Sequence, residues 1–441
     1  MSGGAVINVV IFLGLTPIVA RLFDTEQFGV FAIFSSTLVM LNTVVSGMFP
    51  HALILPKVKT EFLSLLSLCF GLAIIGTGIF GLLMFVFKAQ ILSLINGDEL
   101  TSYYLYLPLG LFILSIHTIL TNWTIRRKEF KTNAVSNISA SISSRSFQIA
   151  YGFGVGNFFG GLIFSELISK TVGVLTMWKK DMSKDISNFS LLKKQDILDV
   201  IKKYKRYPTY ILGANIVNSS TVAIPFYMVA GGFGIGAVGA FSMAQKILAI
   251  PYTALGNSIT PVYFQKANEL IGNKENVLSD LTKSTYNKLL ILSSIIYGFV
   301  VGFGDILFFT FLGEKWLLAG QMAQILAIYY VFQMISSPFS KLFWIYKRED
   351  ISLKMNILRA VLRICSIYIG IETGSLIDAI LFFSVANLIG YLVMNIYVLK
   401  FVKLKIPQVL FRTILVCGSI MIFYYLFRLL CEYFLPQFFI F

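Results

Sequence analysis

Residues 62–87 read FLSLLSLCFGLAIIGTGIFGLLMFVF, a run of 26 residues that contains no charged side chain. As an α-helix this run would be about 39 Å long, which exceeds the roughly 30 Å of the hydrocarbon core of a bilayer. A helix pairs its backbone amides internally, and each unpaired amide in hydrocarbon costs several kcal/mol. The run therefore predicts a transmembrane helix.

The whole chain of 441 residues has a similar composition. Hydrophobic residues make up 57% and charged residues 13%, whereas soluble domains contain about 45–50% and about 25%. This composition excludes a water-soluble globular protein and predicts an all-α membrane protein with thirteen spanning helices. Their approximate limits are 2–20, 28–55, 62–87, 103–122, 132–153, 157–178, 208–230, 236–262, 288–311, 319–344, 353–370, 375–399 and 411–431.

Lysine and arginine are unevenly distributed among the connections between these helices. The formal net charge is +15, but the basic residues lie in short segments beside the membrane, so we expect no nucleic-acid partner. The even-numbered connections hold 26 lysines and arginines, and the odd-numbered connections hold 3. Because cytoplasmic loops are enriched in these residues, we predict a cytoplasmic amino terminus.

The sequence carries no recognisable catalytic or cofactor motif. Its 4 cysteines stand singly in apolar runs, and its 2 histidines have no nucleophile at a useful spacing. Residues 234–239 read GIGAVG and match the dinucleotide-binding fingerprint, but they follow an apolar helix and lack the acidic residue about 20 positions on. We predict a tight hairpin there, and a chain that is not an enzyme and uses no cofactor or metal.

The chain divides into two similar halves. The longest polar stretch, 179–206, separates the first twelve predicted helices into two sets of six, and each set begins with a proline followed by a glycine. These pairs are Pro17 with Gly29 and Pro225 with Gly239. Six helices per set predict two six-helix bundles related by a pseudo-two-fold axis along the membrane normal. The predicted parts are an N-lobe (1–178), a basic cytoplasmic amphipathic linker (179–206), a C-lobe (207–400) and a C-terminal transmembrane helix (401–441).

The linker itself has a helical pattern, because Leu192, Ile197 and Ile201 recur at near-helical spacing among lysines. We expect an amphipathic helix that lies on the anionic inner leaflet, with a solvated linker as the alternative. Such a helix gains about 1 kcal/mol for each basic residue near the surface.

Several short motifs are shared with a known family. The first half contains the run TPIVARLFDTEQFGVFA at 16–32 and the triplet Leu55-Pro56-Lys57. The most specific part lies within 204–270 and comprises Tyr207-Pro208, Asn215, Pro225, Val238-Gly239, Gln245-Lys246, Pro251, Leu255-Gly256 and Val262-Tyr263-Phe264. Together they resemble the bacterial polysaccharide-export flippases, the O-antigen-type members of the multidrug/oligosaccharidyl-lipid/polysaccharide superfamily.

The resemblance implies a flippase in the bacterial cytoplasmic (inner) membrane. Such a protein moves an oligosaccharide linked to undecaprenyl pyrophosphate from the inner to the outer leaflet by alternating access, during assembly of a surface polysaccharide such as the O-antigen of lipopolysaccharide. The implied partners are this lipid-linked oligosaccharide, membrane lipids and either H+ or Na+ as a coupling ion. The implied state is a monomer that could associate with polysaccharide-assembly proteins.

Two alternatives to this function stay open. One is an ion-coupled antiporter of small molecules or drugs from the same superfamily. The other is a membrane glycan polymerase or ligase, which is less favoured because the predicted outward loops are short.

Seven basic residues lie inside the predicted helices, where charge is costly and therefore points to function. Lys246 lies about ten residues, or roughly 15 Å, into the eighth helix, which is too deep for its amine to reach water. Lys341 and Arg428 lie near helix ends and are expected to extend toward the interface. The full set is Arg145, Lys170, Lys246, Lys341, Arg359, Arg363 and Arg428.

A polar cavity for the pyrophosphate and the sugar hydroxyls is the predicted site, and the resemblance implies that the first two helices of each half line it. The alternative for each candidate is structural: a helix-end anchor for Arg21, and hydrogen bonds between helices for the others. The candidates for substrate binding are Lys246, Arg21, Arg145, Arg359, Arg363, Asn215, Asn218, Gln245 and Asn42.

Glu166 and Asp305 are the candidates for ion coupling, because they are the deepest carboxylates in the predicted helices. The alternative for both is ion pairing. Lys170 stands four residues after Glu166, which is the spacing of a pair within one helix.

Overall fold

The structure of the chain is a computed structural model that describes residues 2–155, 160–271 and 275–434. Every regular element in these residues is a helix. The helices are α1 (Ser2–Leu22), α2 (Thr25–Ser46), α3 (Lys59–Val86), α4 (Lys88–Leu94), α5 (Tyr106–Arg126), α6 (Phe130–Gly154), α7 (Gly160–Met177), α8 (Lys180–Ser187), α9 (Lys194–Lys203), α10 (Leu212–Phe233), α11 (Ile235–Leu270), α12 (Glu275–Leu312), α13 (Leu317–Ser336), α14 (Leu342–Ile345), α15 (Glu349–Glu372), α16 (Leu376–Phe401) and α17 (Ile406–Phe434).

Within the described part of the chain, 9 helices are long and apolar enough to cross a bilayer. These are α2, α3, α5, α7, α10, α12, α13, α16 and α17. Helices α6, α11 and α15 have 25, 36 and 24 residues, but they carry more polar side chains. Each of the thirteen predicted spans overlaps one long helix. The prediction of an all-α, multi-pass membrane protein is confirmed.

The predicted span 28–55 is too long, because α2 ends at Ser46. Gly47 (φ 53°) and Met48 (φ 61°) have left-handed backbone conformations. Such a conformation ends a helix, and glycine adopts it without steric cost. A short 3-10 helix, Phe49–Ile54, then continues the chain.

The predicted span 236–262 is too short, because α11 continues to Leu270. The helix passes through Pro251 and Pro261 without ending. Proline is tolerated in membrane helices where neighbouring helices and side chains satisfy the freed carbonyl groups.

The chain packs as two compact units, Met1–Gly231 and Gly232–Phe441. In the first unit, α6 packs mainly against α1 and α7, and α3 packs against α5. In the second unit, α12 packs against α13 and α17, and α15 packs against α16. The division into lobes and linker stays a prediction, and residues 435–441 of its last part lie outside the described residues.

The linker helices α8 and α9 belong to the first unit and pack against its other helices. Met182, Val200 and Tyr204 are buried in a core that also contains Leu66 and Trp123. Part of the apolar face of these helices therefore contacts protein. Contact of the linker with the leaflet stays a prediction. Lysine side chains occupy much of the exposed side.

Hydrogen bonds and ion pairs hold the linker in place. The Tyr204 hydroxyl donates to Glu61 Oε1 at 2.6 Å, and Lys203 Nζ lies 2.5 Å from the same oxygen. Trp123 Nε1 donates to Asp185 Oδ2 at 3.0 Å. Burial, followed by the hydrogen bond to Glu61, raises the pKa of Tyr204, so the phenol stays a neutral donor. Glu61 thus ties the start of α3 to the end of α9.

We expect Tyr204→Phe to loosen the linker. The substitution keeps the buried ring but removes a hydrogen bond to a carboxylate, a contact worth about 1.5–3 kcal/mol. Trypsin should then cut the purified protein at Lys193 or Lys194 several-fold faster than it cuts the native chain. Tyr210→Phe is the matched control, because Tyr210 is 76% exposed. Equal cleavage of the Tyr204→Phe and native proteins would contradict a role for this hydrogen bond.

Candidate functional site

Helix α15 carries a polar stripe along one face. Ser352, Asn356, Arg359, Arg363 and Ser366 recur at intervals of 4, 3, 4 and 3 residues, which places them above one another on a helix. All five are buried or half-buried, so this face is turned toward neighbouring helices. The opposite face is apolar and exposed, and it includes Leu353, Ile357 and Val361.

Arg363 is positioned by α16. Its Nε donates to Asn387 Oδ1 at 2.6 Å. Asn387 is 1% exposed, and its Nδ2 donates to the Phe383 carbonyl at 2.7 Å. The second hydrogen bond fixes the orientation of the amide, so its oxygen faces the guanidinium. The guanidinium carbon also lies 5.7 Å from the centroid of the Phe383 ring.

Arg359 crosses α16 at a glycine. A Cβ atom at Gly390 would lie 2.6 Å from Arg359 Cγ, so the arginine stem needs the absence of a side chain there. The guanidinium carbon lies 5.2 Å from the centroid of the Tyr391 ring, and the guanidinium donates to Asn356 Oδ1. Among the residues that the structure describes, no carboxylate forms an ion pair with Arg359. An amide oxygen and the face of a ring contact the guanidinium instead.

Tyrosines pack behind these arginines. The Tyr391 ring stacks parallel to that of Tyr329, with centroids 6.4 Å apart, and the Tyr329 and Tyr330 centroids are 4.6 Å apart. The Tyr330 hydroxyl donates to the backbone carbonyl of Gln245 at 3.2 Å. These tyrosine rings support Tyr391, against which the Arg359 guanidinium packs. The positions of these tyrosines in the sequence follow no helical pattern that points to a site. The sequence analysis therefore did not identify them.

Arg145 lies in a second polar network, in the first unit. Its guanidinium donates to Gln148 Oε1 at 2.9 Å and to Thr16 Oγ1 at 3.4 Å. Gln148 Nε2 in turn donates to Ser165 Oγ at 2.8 Å. The guanidinium carbon lies 4.7 Å from the centroid of the Phe12 ring. No carboxylate in the described ranges pairs with Arg145. The surroundings again consist of hydroxyls, amides and an aromatic face.

Two of the asparagine candidates make structural hydrogen bonds. Asn42 accepts from Ser115 Oγ at 2.9 Å and donates to Thr118 Oγ1 at 3.3 Å, which joins α2 to α5. Asn215 Nδ2 donates to the Ile211 carbonyl of the preceding turn at 2.8 Å. These contacts match the structural alternative, and a role in substrate binding stays a prediction for both.

The remaining substrate candidates differ in burial. Arg21 in the last turn of α1 and Asn218 on α10 are exposed. Gln245 and Lys246 are half-buried on α11. Roles for these four residues in substrate binding stay predictions.

Glu166 and Lys170 form the ion pair that their spacing predicts. Lys170 Nζ lies 3.5 Å from Glu166 Oε1, and both side chains are about one-quarter to one-third exposed, at 31% and 26%. The pairing partly neutralises the carboxylate. Ion coupling through Glu166 stays a prediction.

Asp305 is held by Arg428 of α17. Arg428 Nη2 lies 2.7 Å from Asp305 Oδ2, and Nη1 donates to Oδ1 at 3.0 Å. Gln324 Nε2 donates to the same Oδ1 at 3.1 Å, and Arg428 also pairs with Glu432. These ion pairs match a structural role for Arg428, and its extension to the interface stays a prediction. Ion coupling through Asp305 stays a prediction, and it would require displacement of the arginine.

The long apolar helices define a class, the multi-pass helical membrane proteins. Two solved structures share the fold. A multidrug resistance MATE family transporter of the MOP superfamily, in an inward-facing conformation, gives a TM-score of 0.73 at 14% identity and covers 91% of this chain and 95% of its own. The lipid II flippase MurJ, in an inward closed conformation, gives 0.72 at 15% identity and covers 98% of both chains.

The particular family follows from the sequence. Residues 18–321 match the family described as polysaccharide biosynthesis protein, and the chain belongs to this family. The succinoglycan biosynthesis transport protein ExoT of Rhizobium meliloti is 22% identical over 85% of this chain and 74% of its own length. The teichuronic acid biosynthesis protein TuaB of Bacillus subtilis is 20% identical over 44% of this chain and 40% of its own. The resemblance found in the motifs is confirmed, and the chain is a membrane transporter of polysaccharide biosynthesis.

Proposed function

We propose that the chain is a flippase that moves an undecaprenyl-pyrophosphate-linked oligosaccharide from the inner to the outer leaflet of the bacterial inner membrane. The observation that carries the proposal is that each unit holds an arginine at mid-length of a polar helix, Arg145 in the first unit and Arg359 in the second. Both are half-buried and donate to amides or hydroxyls. A cation in such a setting attracts an anion, and the neighbouring hydroxyl and amide groups suit sugars.

The proposed mechanism is alternating access. Two six-helix lobes related by a pseudo-two-fold axis would open in turn to the two leaflets, with α17 as an additional helix and the amino terminus in the cytoplasm. The repeated Pro–Gly patterns and the excess of lysine and arginine in alternate connections support this arrangement. An H+ or Na+ gradient, or the membrane potential, would supply the energy.

The charges favour an anionic substrate over a cationic drug. The deep carboxylates Glu166 and Asp305 are engaged by Lys170 and Arg428. Arg145 has neutral hydrogen-bond partners instead. A binding site for organic cations would need the opposite arrangement, with carboxylates whose charge is not already compensated.

Deletion of the gene in the organism that encodes the chain tests the proposal. We expect surface glycan to fall at least about tenfold while lipid-linked oligosaccharide accumulates in the inner leaflet, and the native chain should restore both. Unchanged surface glycan would overturn the proposal. Drug sensitivity of the deletion strain without glycan loss would favour the antiporter, and sugar transfer by the purified protein would favour the polymerase or ligase.

A further inference from the structure

The turn that follows α4 directs Asn96 toward α10. Asn96 has a left-handed backbone conformation (φ 46°), which asparagine can adopt just beyond the end of a helix. Its N–H donates to the Ser93 carbonyl at 3.1 Å, and the Gly97 N–H donates to the Leu92 carbonyl at 2.9 Å, a pattern that commonly ends helices. This turn fixes the Asn96 backbone, and the Asn96 Nδ2 donates to the Tyr227 carbonyl of α10 at 3.0 Å.

Tyr227 is also bound by α2, through its hydroxyl group. Thr37 Oγ1 and the Tyr227 hydroxyl oxygen are 2.8 Å apart. The Thr37 hydroxyl donates its one hydrogen to the Ile33 carbonyl at 2.7 Å, so the Tyr227 phenol is the donor in this contact. Thr37 is 5% exposed and Tyr227 is 9% exposed. A single residue of α10 is therefore tied both to α2 and to the turn after α4, in a place that is shielded from solvent.

Gly231 allows α10 to pass close to Asn96. It lies four residues after Tyr227, about one helical turn further along the same face. A Cβ atom at Gly231 would lie 2.7 Å from Asn96 Nδ2 and 3.0 Å from Asn96 Cγ. The absence of a side chain at this position leaves room for the Asn96 amide beside the helix.

Burial along α2 and α10 shows which ends of these helices are covered. The buried residues of α10 lie within 221–229, and those of α2 lie within 27–38 except for Ser46. Residues 39–45 and 212–220, all of them within the described ranges, are half-buried or exposed. Under the predicted topology, with a cytoplasmic amino terminus, the covered segments are the outer ends of both helices. The contacts of Tyr227 therefore join α10 to the first half of the chain on the predicted outer side.

We infer that Thr37, Asn96 and Tyr227 form an outer latch, which holds the outer side of the transporter closed and releases when α10 moves away from α2. The inference rests on the alternating access of the proposed function and names a contact that regulates it. On opening, the freed groups exchange these hydrogen bonds for hydrogen bonds to water, so each bond adds only a modest bias toward the closed state. A modest bias suits this role, because a transporter has to populate both states in every cycle.

Hydrogen–deuterium exchange of the purified full-length protein in detergent tests the latch without any substrate. We expect Tyr227→Phe to raise the exchange rate of the amides in 221–233 by about threefold to tenfold, the effect of one hydrogen bond. Thr37→Val removes the same bond and keeps the shape of the side chain, so the effects of the two variants should not add in the double variant. Tyr210→Phe is the matched control and should leave these rates unchanged, because Tyr210 is 76% exposed.

A disulfide across the latch tests whether transport requires its release. The Cβ position of Gly231 lies 3.0 Å from Asn96 Cγ. A carbon–carbon bond adds about 1.5 Å, so the two β-carbons would be at most about 4.5 Å apart, which is within disulfide range. We expect Asn96→Cys with Gly231→Cys, once oxidised, to lower surface-glycan export in the deletion strain by about tenfold or more, because a required motion is blocked. Reduction should restore export. The native chain, which has 4 cysteines of its own, is the control for the oxidant.

Native exchange rates in Tyr227→Phe, or native export by the fully cross-linked variant, would refute the latch. These outcomes are separable from that of the proposed function. If the native chain does not restore surface glycan, the proposed function fails, and the exchange rates still decide whether the latch holds α10. If the native chain and its cross-linked variant both restore surface glycan, the chain is a flippase whose transport does not require movement at Tyr227.

Discussion

Arg145→Gln is expected to lower surface-glycan export by about 10-fold to 100-fold while the amount of protein in the membrane stays normal. Under the proposed function, the substitution removes a hydrogen bond between a charged donor and the substrate, worth about 1.5–3 kcal/mol. Each 1.4 kcal/mol corresponds to about a factor of ten. The partners of Arg145 are the neutral side chains of Gln148 and Thr16. Removal of the charge therefore leaves no carboxylate unpaired, and the fold should tolerate it.

Export would be measured as surface glycan in a deletion strain that carries each variant, with the membrane fraction probed for the protein. Arg145→Lys should retain part of the export because it keeps the charge. Arg412→Gln serves as the control, since Arg412 is exposed in the described structure. Native export by Arg145→Gln at equal protein levels would remove this residue from the proposed site.

Arg428→Gln is expected to have the opposite effect, a large loss of stability. Removing one partner of a buried ion pair typically costs about 3–5 kcal/mol, because the other charge is left uncompensated. The carboxylate of Asp305, which is 9% exposed, would then lose its ion pair. It would keep the hydrogen bond from Gln324, a neutral donor. Asp305→Asn should be milder, because Arg428 retains its pair with Glu432.

Thermal unfolding of the purified variants in detergent would measure these effects. The double variant Asp305→Asn with Arg428→Gln should be more stable than the sum of the single losses predicts, because both charges are removed together. A native unfolding temperature for Arg428→Gln, or strictly additive losses in the double variant, would show that the pair contributes little to stability.

The long helices could be predicted from the sequence because their signal is local. A charge-free run such as 62–87 has one stable structure in hydrocarbon, and α3 spans Lys59–Val86. Helix ends were less predictable. The end of α2 depends on the left-handed conformations of Gly47 and Met48, which hydropathy does not register.

The candidate site was only partly predictable, because the partners of a residue depend on tertiary packing. Arg359 and Arg363 stand out as charges in an apolar region, and their spacing gives the face of α15 that they share. It does not reveal that Gly390 makes room for one stem or that Asn387 binds the other guanidinium. These neighbours lie on the next helix, and nothing in the pattern of α15 selects them.

The contact between Arg359 and Gly390 also constrains how related sequences can diverge. A chain that keeps the long basic side chain on α15 has to keep glycine at the facing position of α16, since even one methyl group would collide with the stem. A chain that has replaced the arginine with a smaller residue is released from that restriction. The positions of Arg359 and Gly390 should therefore covary across relatives. Alanine or serine should occur at the position of Gly390 only where a shorter side chain has replaced Arg359.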